Sequence, residues 1–426
     1  MKQNRKAAFF TLGCKLNFSE TSTITRQFIE AGYEIIPFDK QADVYVINTC
    51  SVTLLAEKKC RNAINKVTKY KNSLVVVVGC YAQLQPEQLE MLEGVDIVLS
   101  NKDKTRIIEI IENNFSGIST CDFKDLQEFY PAWSIDDRTR SFLKIQDGCD
   151  YFCSYCTIPK ARGLSRSDTI KNIINRTKDI VSKGIKEIVL TGVNIGDFGR
   201  KNKETLFDLL TELCKIEDLN RIRISSIEPN LLTDDIIELV AQSNTIMPHF
   251  HIPLQCGVDK LLELMHRNYT IAQFRSKIDI IRKKIPDAYI AVDVIVGVPH
   301  ETEEDFNQTY HFLNSLDLSE LHVFTYSERP GTIAANMEQV PMFVRRERSQ
   351  KLHELSENML NRFSLRFINS VRPVLYEKKT KNNYILGFSD NYLKVKVPNK
   401  ENLNNMIVKT KLVEYDSVNN IFKGIE

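Results

Sequence analysis

Three cysteines, Cys149, Cys153 and Cys156, fall within eight residues, directly after an apolar-alternating stretch, Ser141 to Gln146, that reads as a strand. Three thiolates on a tight loop can ligate three irons of a cubane iron–sulfur cluster, which is normally held by four. The fourth iron then takes its ligand from elsewhere, and an open iron is where a small molecule binds. A tetrahedral zinc site needs a fourth protein ligand nearby, and Lys160, Arg162 and Arg166 offer none. Inert buried cysteines are the bland alternative, since free Cys behaves as a small hydrophobe. Three of them together between Gly148 and Pro159 argue against it.

The rest of the chain is read around that loop. Before it, Ala7–Leu12, Val44–Asn48, Leu74–Gly79 and Val95–Leu99 read as strands, alternating with helices at Thr21–Ala31, Ala56–Lys69 and Glu87–Leu92. Such alternation predicts a parallel, Rossmann- or flavodoxin-like α/β sheet over residues 1–118. Three of its strands end in cysteine, at Cys14, Cys50 and Cys80, and ligands of such sheets sit beyond the strand C-termini. Two of the three follow a glycine, which permits close backbone approach. The pattern predicts a second metal site. Residues 119–140 read as a linker, with Trp133 packing across a domain seam or stacking on a base.

From 141 to 340 the alternation resumes. Strands are expected at Ser141–Gln146, Glu187–Leu190, Arg221–Ser225, His249–Pro253, Tyr289–Val296 and Glu320–Phe324. Six βα units are too few for a closed eight-stranded barrel, so an open partial barrel is expected, with its functional face at the strand C-termini. Residues 341–369 form one long helix whose first turns carry Arg345, Arg346, Arg348 and Lys351. Cations there oppose the macrodipole and point either to an anionic neighbour or to a solvated face.

Residues 370–426 read as a small all-β barrel. Its basic residues, Arg372, Lys378, Lys379, Lys381, Lys394, Lys396, Lys400, Lys409, Lys411 and Lys423, interleave with Tyr376, Tyr384, Phe388 and Tyr392. That pattern suits a single-stranded nucleic-acid surface, and equally a lysine-rich surface over an aromatic core.

Lys plus Arg total 57 against 55 Asp plus Glu, so no global basic field advertises nucleic acid and any such contact must be local. No apolar run approaches a membrane span, and the run ending at Leu12 is too short for a signal-peptide core. Ten cysteines without such a signal place the protein in a reducing cytoplasm and assign the thiols to metal or redox use.

The Cys149/Cys153/Cys156 spacing after the first strand of a partial barrel resembles the radical S-adenosylmethionine superfamily. The stretches Thr11-Leu12-Gly13-Cys14-Lys15-Leu16-Asn17, Asn48-Thr49-Cys50-Ser51-Val52-Thr53 and Gly79-Cys80-Tyr81-Ala82-Gln83 narrow the resemblance to the methylthiotransferases. So do Cys156-Thr157-Ile158-Pro159-Lys160-Ala161-Arg162-Gly163, Leu190–Asn194, Ser225–Pro229, Pro253–Gln255, Asp293–Pro299 and Phe324–Thr332. The C-terminal segment is similar to their TRAM domain, a small RNA-binding barrel.

By that resemblance, Cys149, Cys153 and Cys156 hold a 4Fe-4S cluster whose open iron chelates S-adenosylmethionine, cleaved to a 5′-deoxyadenosyl radical. Cys14, Cys50 and Cys80 hold a second 4Fe-4S cluster that carries the inserted sulfur, and one further S-adenosylmethionine methylates it. Thr191, Gly192, Asn194, Ser226 and Glu228 are then cofactor contacts, each alone reading as a turn or cap residue. Arg162 and Arg329 are candidates for binding cofactor carboxylate or tRNA phosphate, with a surface ion pair as the bland option. Lys15 after the first cysteine and Tyr81-Ala82-Gln83 after the third look like the type acting on C2 of N6-threonylcarbamoyladenosine beside the tRNA anticodon. The alternatives are isopentenyladenosine or a ribosomal-protein aspartate. An electron-donor reductase and a sulfur donor are implied as partners. Cys256 stands where the family more often has serine; Cys60, Cys121, Cys214 and Cys256 are left with structural roles.

Overall fold

The structure is a computed structural model that describes residues 5–51, 53–135, 139–381 and 383–426. Val52 and the side chains of Lys378, Lys379 and Lys381 lie outside the described residues, as do 136–138 of the expected linker.

The N-terminal sheet has six parallel strands in the order Glu34–Ile35, Lys6–Thr11, Val44–Thr49, Leu74–Gly79, Ile97–Leu99, Gly117–Ser119. The Val-rich central strands are buried on both faces, as parallel strands between helices must be. Its strand order is flavodoxin-like, and the order reverses between Lys6–Thr11 and Val44–Thr49. Cys14 and Cys50 follow these two strands, so they flank the crevice where such sheets bind ligands. Two differences from expectation have local causes. The first helix runs Lys15–Glu30 and starts at the cysteine, because its opening turn carries polar residues whose burial comes from a neighbouring domain. The edge strand Gly117–Ser119 is only three residues long, too short to show a period.

The next unit is the expected partial barrel, in two three-stranded parallel halves. One is ordered Arg221–Ile224, Glu187–Thr191, Arg140–Lys144; the other His249–Gln255, Tyr289–Val296, Glu320–Thr325. Bridges at Ile222–Ile246 and Ser226–His251 join the halves, and among the described residues the first and last strands do not pair with each other. Alternate residues point outward into one large aliphatic core beneath the helices, including Ile188, Leu190, Ile222, Ile252, Val292 and Val294.

The helix Met342–Leu365 lies against the last strand and spans two cores. Leu352, Leu355 and Met359 enter the partial-barrel core; Phe363, with Phe367 just beyond, enters the core of the C-terminal unit. Two of its early cations are buried against protein partners, whereas Arg346 and Lys351 lie on the exposed face. Arg345 pairs with Glu328, and Arg348 pairs with Glu301 and Glu303. For Arg345 and Arg348 the anionic neighbour is intramolecular; the other two take the solvated face.

Residues Val371–Lys381, Tyr384–Ser389, Lys394–Pro398, Ile407–Asp416 and Ile421–Ile425 close into a five-stranded barrel. It caps the N-terminal end of the partial barrel: Arg221 donates to the carbonyls of Phe388 and Pro373, and Arg223 to that of Asp390. This docking corrects the aromatic-surface expectation. Tyr376 is a core residue, Arg140 stacks on Phe388 and Arg223 on Tyr392, so of the four rings only Tyr384 is exposed. Arg372 is likewise engaged, by Asp390 and Asp287. Lys409 and Lys411 remain exposed, two residues apart on one face of their strand.

Trp133 takes the seam role. It lies between Arg26 of the first helix and Arg176 of the partial barrel, whose guanidinium carbons are 4.5 and 5.3 Å from its ring. No helix among the described residues is long and apolar enough to cross a membrane.

Candidate active site

The Cys149–Cys156 loop leaves the first partial-barrel strand through Gly148, whose φ of +70° suits glycine. A Cβ there would lie 2.2 Å from the Leu164 carbonyl oxygen and 2.6 Å from that of Gly163. Gly148→Ala is therefore expected to cost about 1–3 kcal/mol of strain and to lower the iron retained after reconstitution. A urea midpoint and an iron assay against the parent check this. The Asp150 carboxylate accepts from Ser165 N at 2.8 Å, and Ala334 N donates to the Ser154 carbonyl at 2.8 Å, fixing both sides of the loop.

Each sulfur faces one N–H donor. Tyr151 N is 3.4 Å from Cys149 Sγ, Ile158 N is 3.4 Å from Cys156 Sγ, and Arg267 Nη1 is 3.2 Å from Cys153 Sγ. Without a metal these thiols resist ionising: burial, then the neighbouring thiols, pushes Cys149 and Cys156 up to about 12. The same crowding suits a cationic cluster that strips the protons. Among the described residues, neither cysteine triad brings three ligand atoms within 4.8 Å of one another. Ligands of one zinc ion, with bonds of about 2.3 Å, lie closer than that. Thiolates each bound to a different iron of a cubane do not need to.

The loop forms one wall of a cavity of about 280 Å³ at the strand C-termini. Asn194, Ser226 and Glu228 line it, as does Arg329. Thr191 and Gly192 do not: Thr191 is buried with its carbonyl bonded to Ile145 N, and Gly192 lies against the side chains of Gln146 and Ile195. The turn that follows them is held by the Gln146 side-chain oxygen, which accepts from Val193 N at 2.9 Å and Asn194 N at 2.8 Å and so places Asn194. The Asn194 Oδ1 and the Arg329 Nε and Nη1 atoms are buried and have no protein partner. An amide acceptor and two guanidinium donors, unpartnered on two residues that line one cavity, match the amino and carboxylate groups of S-adenosylmethionine. The donor set therefore fits the cofactor.

Arg267 was missed by sequence reasoning. It follows a short helix in a stretch with no ligand-like spacing, yet it bridges Cys153 Sγ and the Glu228 carboxylate. Glu228 is pushed up from the ordinary carboxylate value by burial, and Arg267 opposes this.

At the N-terminal sheet, a Cβ on Gly13 would lie 3.2 Å from Cys50 Sγ, and Thr49 pairs with Gly79, so the three cysteines sit at neighbouring strand ends. Cys80 is buried and its thiol is pushed up by burial, with Arg162 opposing and Cys14 adding. Thr53 and Arg329 connect this triad to the cavity. Thr53 lines it, and Arg329 bonds Ser51 and Glu57 beyond Cys50.

Arg162 is a correction. It is 2% exposed and donates to Glu20, Asp147 and Asn17, so it is no surface ion pair and is not available to cofactor or phosphate. The other four cysteines are free; Cys60 and Cys256 are buried among protein partners.

Residues 6–100 match the family described as uncharacterized protein family UPF0004, and residues 143–313 match the radical SAM superfamily. The threonylcarbamoyladenosine tRNA methylthiotransferase MtaB of Bacillus subtilis is 41% identical over 421 residues, covering 96% of this chain and 93% of that protein. The chain belongs to the radical S-adenosylmethionine methylthiotransferase family. It is an enzyme of MtaB-like type. The Aquifex aeolicus MtaB is 38% identical, covering 84% of this chain and 89% of its own. A Fusobacterium nucleatum tRNA-2-methylthio-N(6)-dimethylallyladenosine synthase is 35% identical, covering 89% and 90%. In fold, this methylthiotransferase is similar to the radical S-adenosylmethionine methyltransferase TsrM of Kitasatospora setae (TM-score 0.57, 13% identity, covering 75% of this chain and 73% of that one). Membership implies one 4Fe-4S cluster and S-adenosylmethionine, for which the Cys149 loop and the cavity beside it supply the fitting residues.

Proposed function

We propose that this methylthiotransferase acts on C2 of N6-threonylcarbamoyladenosine beside the anticodon of tRNA, with two 4Fe-4S clusters and two molecules of S-adenosylmethionine. What supports the reading is the pair of cysteine triads, one beside the partial-barrel cavity and one at neighbouring strand ends of the N-terminal sheet, with Arg329 lining that cavity and bonding Ser51 next to Cys50. When bound, the clusters and cofactor supply one-electron chemistry at an unactivated C–H bond and carry the sulfur.

The chain's own residues have definable tasks in this reading. Cys149, Cys153 and Cys156 anchor one cluster; Cys14, Cys50 and Cys80 anchor the other. Asn194, Ser226, Glu228 and Arg329 orient the cofactor. Arg267 holds Glu228 in place and steadies the Cys153 sulfur. A target base in a single-stranded loop is easily splayed into the cavity, and the apolar wall of Ile295, Phe324 and Tyr326 offers it a water-poor face. Lys409 and Lys411 are available to phosphate. The divisions at 118, 140, 340 and 369 belong to the same reading, as do a cytoplasmic location, an electron-donor reductase and a sulfur donor.

Lys15 favours a carboxylate-bearing base over an isopentenyl one. It makes no hydrogen bond or ion pair among the described residues. Burial, then Arg223 and Arg140, pushes its ammonium down to about 8. Glu187 and Asp293 oppose that shift without forming an ion pair, and a cation so placed suits the threonyl carboxylate and disfavours a hydrocarbon tail. Mass spectrometry of tRNA nucleosides from cells lacking the protein tests the assignment. The methylthio form of threonylcarbamoyladenosine should disappear while methylthio-isopentenyladenosine persists; the opposite pattern, or no change in either, overturns it.

A further inference from the structure

Three adjoining strands of the partial barrel, His249–Gln255, Tyr289–Val296 and Glu320–Thr325, bring His251, Asp293 and His322 together. Parallel pairing sets Asp293 opposite His322 on one side and opposite Pro253, two residues beyond His251, on the other. Asp293 Oδ1 lies 2.6 Å from His251 Nε2 and 3.1 Å from His322 Nδ1. The two ring nitrogens are 3.3 Å apart. A triangle of this size is what ligand atoms subtend around one ion with bonds of about 2.0–2.2 Å.

The surroundings suit an ion as well. The side chains are 18%, 17% and 37% exposed, so the group is neither sealed nor on the surface, and Asp293 lines the cavity described above. Behind His322, Glu320 Oε2 stands 3.6 Å from Nε2 and is itself held by the Tyr289 hydroxyl at 2.6 Å. A carboxylate behind a ligating histidine fixes the ring and its tautomer.

We propose that His251 Nε2, Asp293 Oδ1 and His322 Nδ1 bind one divalent transition-metal ion, with its remaining positions open to the cavity. Two imidazoles and one carboxylate suit Zn2+, Fe2+, Mn2+ or Co2+, and without a thiolate the site is chemically distinct from both cysteine triads. The open positions take oxygen donors. This assignment stands apart from the choice of substrate, because it rests only on the donor triangle and the residues behind it.

The test is a Mn2+ titration of the anaerobically reconstituted enzyme, following the free-ion electron paramagnetic resonance signal. Mn2+ favours oxygen and nitrogen donors over thiolates, which keeps it off the cysteines. One saturable Mn2+ per chain is expected, lost in His322→Ala and Asp293→Asn and weakened about 10–100-fold in Glu320→Gln. Cluster iron measured on the same samples reports folding. Absence of a saturable site in the parent overturns the proposal, as do ligand variants that keep their iron and bind Mn2+ equally well. Should a ligand variant lose its iron, Glu320→Gln decides, and an unchanged Mn2+ affinity there overturns the site.

Discussion

Glu20→Gln is expected to destabilise the folded protein by about 3–5 kcal/mol, the cost of stripping one partner from a buried ion pair. Glu20 is buried between the N-terminal sheet and the partial barrel, within reach of Lys104, Lys144 and Arg162; Asp147 engages Lys144, Arg162 and Arg166. Two carboxylates thus face four cations, and removing a carboxylate strands charge that the site cannot hydrate. Arg162→Met should cost less, because Glu20 keeps both lysines and Asp147 keeps Lys144 and Arg166. It should instead lower iron at the N-terminal triad, since the Arg162 charge is drawn to Cys80 and Cys14 as well. Anaerobic urea midpoints and iron content of the two variants check the order; equal midpoints would show that no charge is stranded. The pH dependence has a definite sign. Burial works against the Glu20 and Asp147 charges, but the surrounding cations outweigh it and hold both carboxyls below the usual range. Their stabilisation is fully present above the ordinary carboxylate value of about 4 and is lost as the pH falls through the lower folded values. In Glu20→Gln that acid-dependent loss is correspondingly smaller.

This network was illegible in the sequence for a simple reason. Arg162 lies 142 residues from Glu20 along the chain, and no local period connects them. The Cys149 loop was legible because its ligand type and spacing are local, and the βα units because burial on two faces writes itself as short apolar runs. The aromatic residues of the C-terminal barrel illustrate the opposite case. Phe388 and Tyr392 look identical in sequence whether a base or an arginine of the next domain covers them; the structure places Arg140 and Arg223 there. Arg267 gave no signal at all, since one arginine at the end of a helix is ordinary. His251, Asp293 and His322 each sat in a segment read only as a strand or a motif. Their convergence depends on the register of three strands, which composition does not set.

Cys50→Ala and Cys153→Ala should separate the two halves of the site. In the proposed reading Cys153 is one of three ligands beside the cavity lined by Asn194 and Arg329, so its loss would remove the anchor of the cofactor-binding cluster. Formation of 5′-deoxyadenosine from S-adenosylmethionine should fall to the level of cluster-free protein. Cys50 belongs to a different domain and packs against Gly13 at the switch point of the N-terminal sheet. Its replacement leaves the Cys149 loop, its three N–H donors and the cavity wall as they are. Cofactor cleavage should therefore survive Cys50→Ala while methylthio product is abolished. Both variants can be scored in one anaerobic reaction by quantifying 5′-deoxyadenosine and the modified nucleoside together. The contrast has a built-in control for the seam: Arg329 bonds Ser51 and Glu57 close to Cys50, and it also lines the cavity. If Cys50→Ala also stopped cleavage, the arrangement would act through Arg329 as one unit, and the division between the triads would be wrong.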